Sequence, residues 1–326
     1  MLLLTRLDLQ RCLPMRECIV AMREAFAQLS SGRADVPQRI GLEAGDGVSL
    51  FMPAHLRDSH ALGLKVVSVH NENAKRGLPA ILALVALVDE QTGAPLALMD
   101  GSFITATRTA AGSGLATEYL ARADATVAAV IGAGPQGLAH AAAMCAVRPI
   151  QELRIVSRHR EHAQQAADEL RASLQVDARA VATAHDAVAG ADIVCCCTNS
   201  PTPVFEGADL KAGAHVNAVG AYTPSTRETD DETLRRVSRI VVDSRATVAH
   251  EAGDIVIPLQ RGVISEDKID AELGEIVLGK KPGRELPDEI TLFKSVGNAA
   301  QDVAAAAAAL RRARELGIGT ELNLFA

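Results

Sequence analysis

The sequence predicts an α/β protein in which a doubly wound parallel sheet is inserted into a discontinuous α+β domain. Three observations carry this. The stretch Thr126 to His140, TVAAVIGAGPQGLAH, runs from an apolar β-branched strand through three glycines into a helix. After it, short apolar runs and helical stretches alternate. Before it, apolar runs joined by short, turn-rich connectors read as an antiparallel sheet.

In chain order, Leu13 to Leu29 reads as an amphipathic helix, with Ile19, Phe26 and Leu29 among its apolar positions and Gly32 just past its end. Strands are expected at Val48 to Met52, Leu62 to Val69, Ile81 to Val88 and Pro95 to Met99, the last two joined by DEQTG. Ser102 to Leu120 reads as a helix leading to the glycine motif. The alternating series follows: strand Thr126 to Ile131, helix Leu138 to Val147, strand Leu153 to Val156, helix Arg160 to Ala172, then strands at Ala178 to Val181, Ile193 to Cys197, His215 to Val219 and Ile240 to Asp243. Pro258, Pro282 and Pro287 mark an irregular region. Asp302 to Leu316 is an alanine-rich helix ended by Gly317 and expected to rejoin the first domain.

Gly132, Gly134 and Gly137 fit the GxGxxG spacing of a dinucleotide-binding (Rossmann) turn. The first permits the tight turn, the second the approach of a pyrophosphate, and the third close packing of helix on strand. Pro135 falls at the start of the helix, where its missing N–H costs nothing and neighbouring N–H groups can face an anion. About 20 residues further on, where NAD-binding folds place a carboxylate, the chain has Ser157 and Arg158, with Arg160 close behind. A carboxylate would bond the ribose 2′-hydroxyl. Ser157 and Arg158 instead offer donors and positive charge to a 2′-phosphate, so NADP(H) is preferred and NAD(H) is the alternative.

With 326 residues there is ample core for two domains. The net charge of −7, the absence of a basic run and an aromatic content of 2% argue against a nucleic-acid partner. The opening MLLL meets Arg6 and Asp8 too soon for a signal sequence, and no apolar run reaches membrane-spanning length, so a soluble cytoplasmic protein is expected. The six cysteines include the triplet Cys195, Cys196 and Cys197, whose side chains alternate across a strand and cannot converge on one metal. No metal site is expected.

Three cations stand out. Lys65 interrupts the apolar strand GLKVVSVHN, Arg39 follows VPQ, and Arg108 begins RTAAG on a helix. A buried cation needs a partner: either a structural carboxylate, or a carbonyl or imine that the lysine polarises or protonates. Arginines beside it would grip a carboxylate through the planar fork.

Over nearly its whole length the sequence resembles the family of ornithine cyclodeaminases, mu-crystallin ketimine reductases and archaeal alanine dehydrogenases. The resemblance rests on PQRIG with Arg39, FMP with Met52, GLKVV with Lys65, ATRTAAGSGLA with Arg108, IGAGPQG, GAHVNAVGA, EAGD at Glu251 to Asp254, and FKSVGNAAQD at Phe293 to Asp302. It implies a homodimer formed through the antiparallel domain and NAD(P) chemistry at the α-carbon of an amino or imino acid. The implied boundaries are 1–122 for the first part of the substrate-binding and dimerisation domain, 123–292 for the Rossmann domain, and 293–326 for the returning C-terminal helix. Arg39, Met52, Lys65 and Arg108 would bind substrate. The cofactor set would be Thr109, Gly132, Gly134, Pro135, Gln136, Gly137, Ser157, Arg158, Thr198, Val219 and Gly220.

Two departures bear on chemistry. Where cyclodeaminases and the archaeal alanine dehydrogenase carry an acid/base aspartate this chain has Tyr222, and where cyclodeaminases carry a glutamate for the distal amine it has Leu50. Without those carboxylates ornithine is a poor fit. The expectation is therefore an NADPH-dependent reductase of a small imino acid, or the same enzyme run as an amino-acid dehydrogenase, with Lys65 and Tyr222 as the catalytic candidates. A true cyclodeaminase and a non-catalytic NADP-dependent binding protein are the alternatives.

Overall fold

The computed structural model describes residues 1–324, apart from the side chains of residues 71 and 74. It divides into two compact units, 1–108 with 298–326 and 109–297. The division falls inside the helix read at Ser102 to Leu120.

The first unit contains β1 (Leu2–Leu4), α1 (Arg6–Cys12), α2 (Met15–Ser30), β2 (Ala34–Asp35), β3 (Ile40–Ala44), β4 (Gly47–Leu56), β5 (Ala61–His70), β6 (Ile81–Val88), β7 (Pro95–Asp100) and the start of α3 (Gly101–Leu120). Its sheet has the order β16-β1-β7-β6-β5-β4-β2, with β3 on β4 and β16 contributed by Thr320–Glu321. The pairing is antiparallel except for β1 on β7. Residues directly opposite share a face, so the register sorts the side chains. One row, Met52, Lys65, Val85 and Met99, is buried. Another, Ile40, Phe51, Val66 and Leu84, lies on the other face, with Ile40 and Leu84 exposed.

The C-terminal helix α11 (Ala299–Leu316) packs on β4, β5, β6 and α2. Its many alanines keep helix propensity high and let backbones approach closely. Asn298 caps it, its side chain accepting from Ala300 N while Gln301 reaches back to the Asn298 N–H, and Gly317 closes it at φ 63°. From α2, Cys18, Ile19, Met22, Ala25 and Phe26 are buried, the spacing of a single helical face.

The second unit holds the rest of α3, then β8 (Val127–Ile131), α4 (Pro135–Val147), β9 (Glu152–Val156), α5 (Arg160–Leu174), β10 (Asp177–Ala180), α6 (Ala184–Val188), β11 (Ile193–Cys196), β12 (His215–Ala218), α7 (Asp231–Arg236), β13 (Arg239–Val242), α8 (Arg245–Glu251), α9 (Gly253–Gln260), β14 (Ile269–Glu272), α10 (Leu273–Val277) and β15 (Thr291–Lys294). The sheet order is β10-β9-β8-β11-β12-β15-β13-β14, parallel throughout. From β8 the chain runs outward through β9 and β10 on one side and through β11 and β12 to β13 and β14 on the other, with β15 returning between β12 and β13, the doubly wound pattern with its switch point beside β8. The region expected to be irregular is regular in part: α8, α9, β14 and α10 lie there, and Pro258 sits inside α9. Among the described residues no helix is long and apolar enough to cross a membrane. All six cysteines are free; burial pushes the Cys18 and Cys195 thiols up to about 12, which leaves them inert at neutral pH.

Candidate active site

In the first unit, two of the expected residues, Lys65 and Arg108, meet around a carboxylate that the sequence reading passed over. Asp302, in the first turn of α11, is fully buried. Its Oδ1 accepts from Arg108 Nε at 2.9 Å, and its Oδ2 lies 2.8 Å from Lys65 Nζ. The latter is an ion pair whose angle falls short of a good hydrogen bond. Arg108 also donates from Nη1 to Gln301 Oε1 at 2.7 Å. Gln301 is the residue that closes the capping box of α11, so one local motif both starts the helix and fixes the guanidinium plane. The positive end of the helix dipole favours the Asp302 carboxylate.

Lys65 is 2% exposed and Arg108 5%. Burial pulls the Lys65 pKa down from 10.5 to about 8; Asp302 opposes the fall, and the charges of Arg108 and Arg39 add to it. Arg39, half-buried just before β3, is thus close enough to act on Lys65. Met52 is buried directly across the β4–β5 ladder from the lysine. The expected substrate set, Arg39, Met52, Lys65 and Arg108, is therefore assembled within one unit. The single Asp302 carboxylate faces two buried cations, Lys65 and Arg108, so this cluster carries an excess of positive charge that a further anion would balance.

In the second unit, the glycine motif forms the turn between β8 and α4. Gly132 has φ 113°, a conformation costly for any side chain, and a Cβ at Gly137 would lie 1.9 Å from the Gly132 carbonyl oxygen. Gly134 is different: a Cβ there would meet nothing within 4 Å, so the protein's own packing does not require glycine. A glycine there fits the close approach of a pyrophosphate instead. Gly134 is also the N-cap of α4 and offers no side-chain cap, with Pro135 next, so the first-turn N–H groups receive no side-chain cap and the N-terminus suits an anion. Gln136 Oε1 is buried without a hydrogen-bond partner. The residues present fit a dinucleotide pyrophosphate.

Ser157 and the exposed Arg158 follow β9, Thr198 follows β11, and Val219 and Gly220 follow β12, all at the carboxyl ends of parallel strands. Thr109 lies on α3. Tyr222 is 43% exposed in the loop after β12. That loop is anchored by residues the sequence reading did not single out: Glu228, Asp254 and Lys294, all fully buried. Their signal was available in part, since Asp254 and Lys294 lie within the EAGD and FKSVG stretches.

A strand, glycine turn and uncapped helix at the switch point of a doubly wound sheet define a Rossmann-type dinucleotide-binding protein. The antiparallel sheet of the first unit narrows this further. The chain belongs to the ornithine cyclodeaminase/mu-crystallin family, whose model matches residues 1–316. It is 38% identical to the Delta(1)-pyrroline-2-carboxylate reductase of Bacillus cereus over 325 residues, 99% of this chain and 100% of the relative. The solved structure of Thermococcus litoralis Delta(1)-pyrroline-2-carboxylate reductase, in complex with NADH and L-proline, superposes with a TM-score of 0.94 at 45% identity, covering 99% of this chain and 100% of the other. An archaeal alanine dehydrogenase dimer with bound NAD gives 0.92 at 34% identity, covering 99% of each chain.

Proposed function

We propose that this chain is an NAD(P)H-dependent oxidoreductase that reduces a small imino acid of the pyrroline-2-carboxylate type to the amino acid, and can run in reverse as an amino-acid dehydrogenase. The observation that carries the reading is the pair of buried cations, Lys65 and Arg108, sharing the single Asp302 carboxylate: on this reading Arg108, with Arg39 beside Lys65, grips the substrate carboxylate, and Lys65 stands ready to protonate or polarise the imine nitrogen. When bound, the cofactor supplies the hydride. A lysine with its pKa brought down to about 8 is a better acid at neutral pH than an ordinary one, yet still carries its proton there. The names of the relatives point the same way.

The first unit serves as the substrate-binding and dimerisation unit, and the second as the dinucleotide-binding unit. The homodimer forms through the outer face of the first sheet, where Ile40, Leu42, Leu82 and Leu84 are exposed. NADP(H) is preferred, because Ser157 and the exposed Arg158 stand at the end of β9 where a carboxylate would reject a 2′-phosphate.

The test is to mix the protein with pyrroline-2-carboxylate and NADPH or NADH and follow the absorbance of the reduced cofactor. Consumption of cofactor with formation of proline is expected. No consumption with either nucleotide across a panel of cyclic and open imino acids would remove the reading.

A further inference from the structure

The Glu228 carboxylate ties together two loops that lie at the carboxyl ends of adjacent strands. Its Oε1 accepts from Thr198 N at 2.6 Å and Thr198 Oγ1 at 2.7 Å, and its Oε2 accepts from Gly220 N at 2.6 Å and Ala221 N at 3.3 Å. Thr198 follows β11 and Gly220 follows β12. The loops are so close that a Cβ on Gly220 would lie 2.0 Å from the Thr198 carbonyl oxygen. Glu228 is itself held. Asp254 Oδ1 accepts from Glu228 N, Thr229 N and Thr229 Oγ1, each at 2.8 Å. Lys294 Nζ donates to Asp254 Oδ2 at 2.7 Å and to the Ala221 carbonyl at 2.6 Å, which closes the ring of bonds. All three charged side chains are fully buried. Two carboxylates and one ammonium out of water are a costly way to stiffen a loop, where apolar packing would be cheaper.

The sheet order says which part of a dinucleotide this ring serves. From β8, with its glycine turn, β9 and its Ser157–Arg158 end lie on one side, and β11 and β12 lie on the other. The adenosine ribose belongs to the β9 side and the pyrophosphate to the glycine turn, so the remaining half of the cofactor falls to the loops after β11 and β12. We infer that Glu228 is a positioning residue for the nicotinamide half of the dinucleotide site, holding the Thr198 and Gly220–Ala221 backbones in the arrangement that receives the ring. The inference rests on reading the second unit as the cofactor-binding unit, and it is independent of which imino acid is reduced.

The experiment compares binding of the intact dinucleotide with binding of its adenosine half. On the full-length protein, the wild type is titrated with NADH and NADPH, followed by fluorescence, and with ADP-ribose and its 2′-phosphate by calorimetry. Wild-type binding of a dinucleotide tests the underlying reading; the variants test the inference. In Glu228→Gln the amide must turn its NH2 toward the donors of one loop, so the dinucleotide Kd should rise by about tenfold or more, in line with loss of hydrogen bonds to a charged group. The Kd of the adenosine half should stay within about twofold, because the glycine turn and the β9 end are untouched. A merely structural role for Glu228 would weaken both ligands alike or neither, and either result overturns the inference. Should Glu228→Gln fail to give a cooperative thermal transition, Thr198→Val carries the test. It removes the hydroxyl, with its bond to Glu228 Oε1 and the bond it accepts from Ser200 N, keeps the Thr198 N–H bond to Glu228, and should weaken the dinucleotide by about threefold while sparing ADP-ribose. Unchanged dinucleotide affinity in Thr198→Val would overturn the proposal as well.

Discussion

The Lys65 ammonium lies 2.8 Å from Oδ2 of Asp302, while the other oxygen of the same carboxylate takes the Arg108 Nε–H at 2.9 Å. One buried anion thus faces two buried cations, and removing it strands both. Asp302→Asn is expected to cost about 3–5 kcal/mol of stability, the range for breaking a buried pair. Denaturant unfolding measures it, and an unchanged midpoint would mean that water already screens the cluster.

The pH dependence follows from Lys65. Its pKa is lowered to about 8, chiefly by burial, and an acid must hold its proton to donate it. Imine reduction should therefore be full below about 8 and fall as pH rises through that value, while oxidation of the amino acid should show the opposite limb. Lys65→Met should lose this titration and lower kcat by about a hundredfold or more, with cofactor binding intact. Tyr222, 43% exposed, is placed as an auxiliary at most, so Tyr222→Phe should cost far less. Near-native turnover by Lys65→Met beside an inactive Tyr222→Phe would reverse the assignment.

The proposed carboxylate recognition depends on the planar fork of arginine. Arg108→Lys keeps the charge but cannot reproduce both the Asp302 and the Gln301 bonds, and it should lower kcat/KM by about tenfold to a thousandfold, or about 1.4–4 kcal/mol. Arg39→Lys should fall in the same range. Steady-state kinetics decide, and unaltered constants in both variants would return these arginines to a structural role.

The proposed preference for NADP(H) rests on Ser157 and Arg158. NADPH should bind at least about tenfold more tightly than NADH, a difference of about 1.4 kcal/mol, and Arg158→Asp should shift the preference toward NADH. Equal dissociation constants in the wild type would remove the argument from the end of β9.

The outer row Ile40, Phe51, Val66 and Leu84 carries the dimer proposal. Leu84→Asp introduces a charge on that face, 40% exposed at this residue, and should convert dimer to monomer in sedimentation experiments with little change in the secondary structure of each chain. A monomeric wild type would leave the exposed leucines without an occupant.

Much of this was legible in the sequence where local chemistry and spacing coincide. The glycine turn is readable because Gly132 and Gly137 answer to strict backbone demands. Lys65 is readable because a cation in an apolar strand breaks the pattern. Asp302 was not, since an acidic residue in the first turn of a helix is ordinary, and only the packing of α11 on β5 makes it a counter-ion. Glu228 escaped for a similar reason: in STRETD it reads as a solvated turn, and two of its four donors come from Thr198, 30 residues away in sequence, which only the fold brings beside it. The prolines after residue 250 argued for irregular chain, but Pro258 is accommodated inside α9, where tertiary packing overrides helix propensity.

The capping box at Asn298 has a consequence for how the chain comes off the ribosome. Residues 109–297 form one uninterrupted unit, which can fold while the chain is still being made. The other unit cannot finish so early: Lys65 and Arg108 are synthesised long before Asp302 and Gln301, and until residue 302 emerges the two cations have no buried anion to close upon. Translation order thus makes the segment translated first the later one to be completed, with the last long helix acting as its latch.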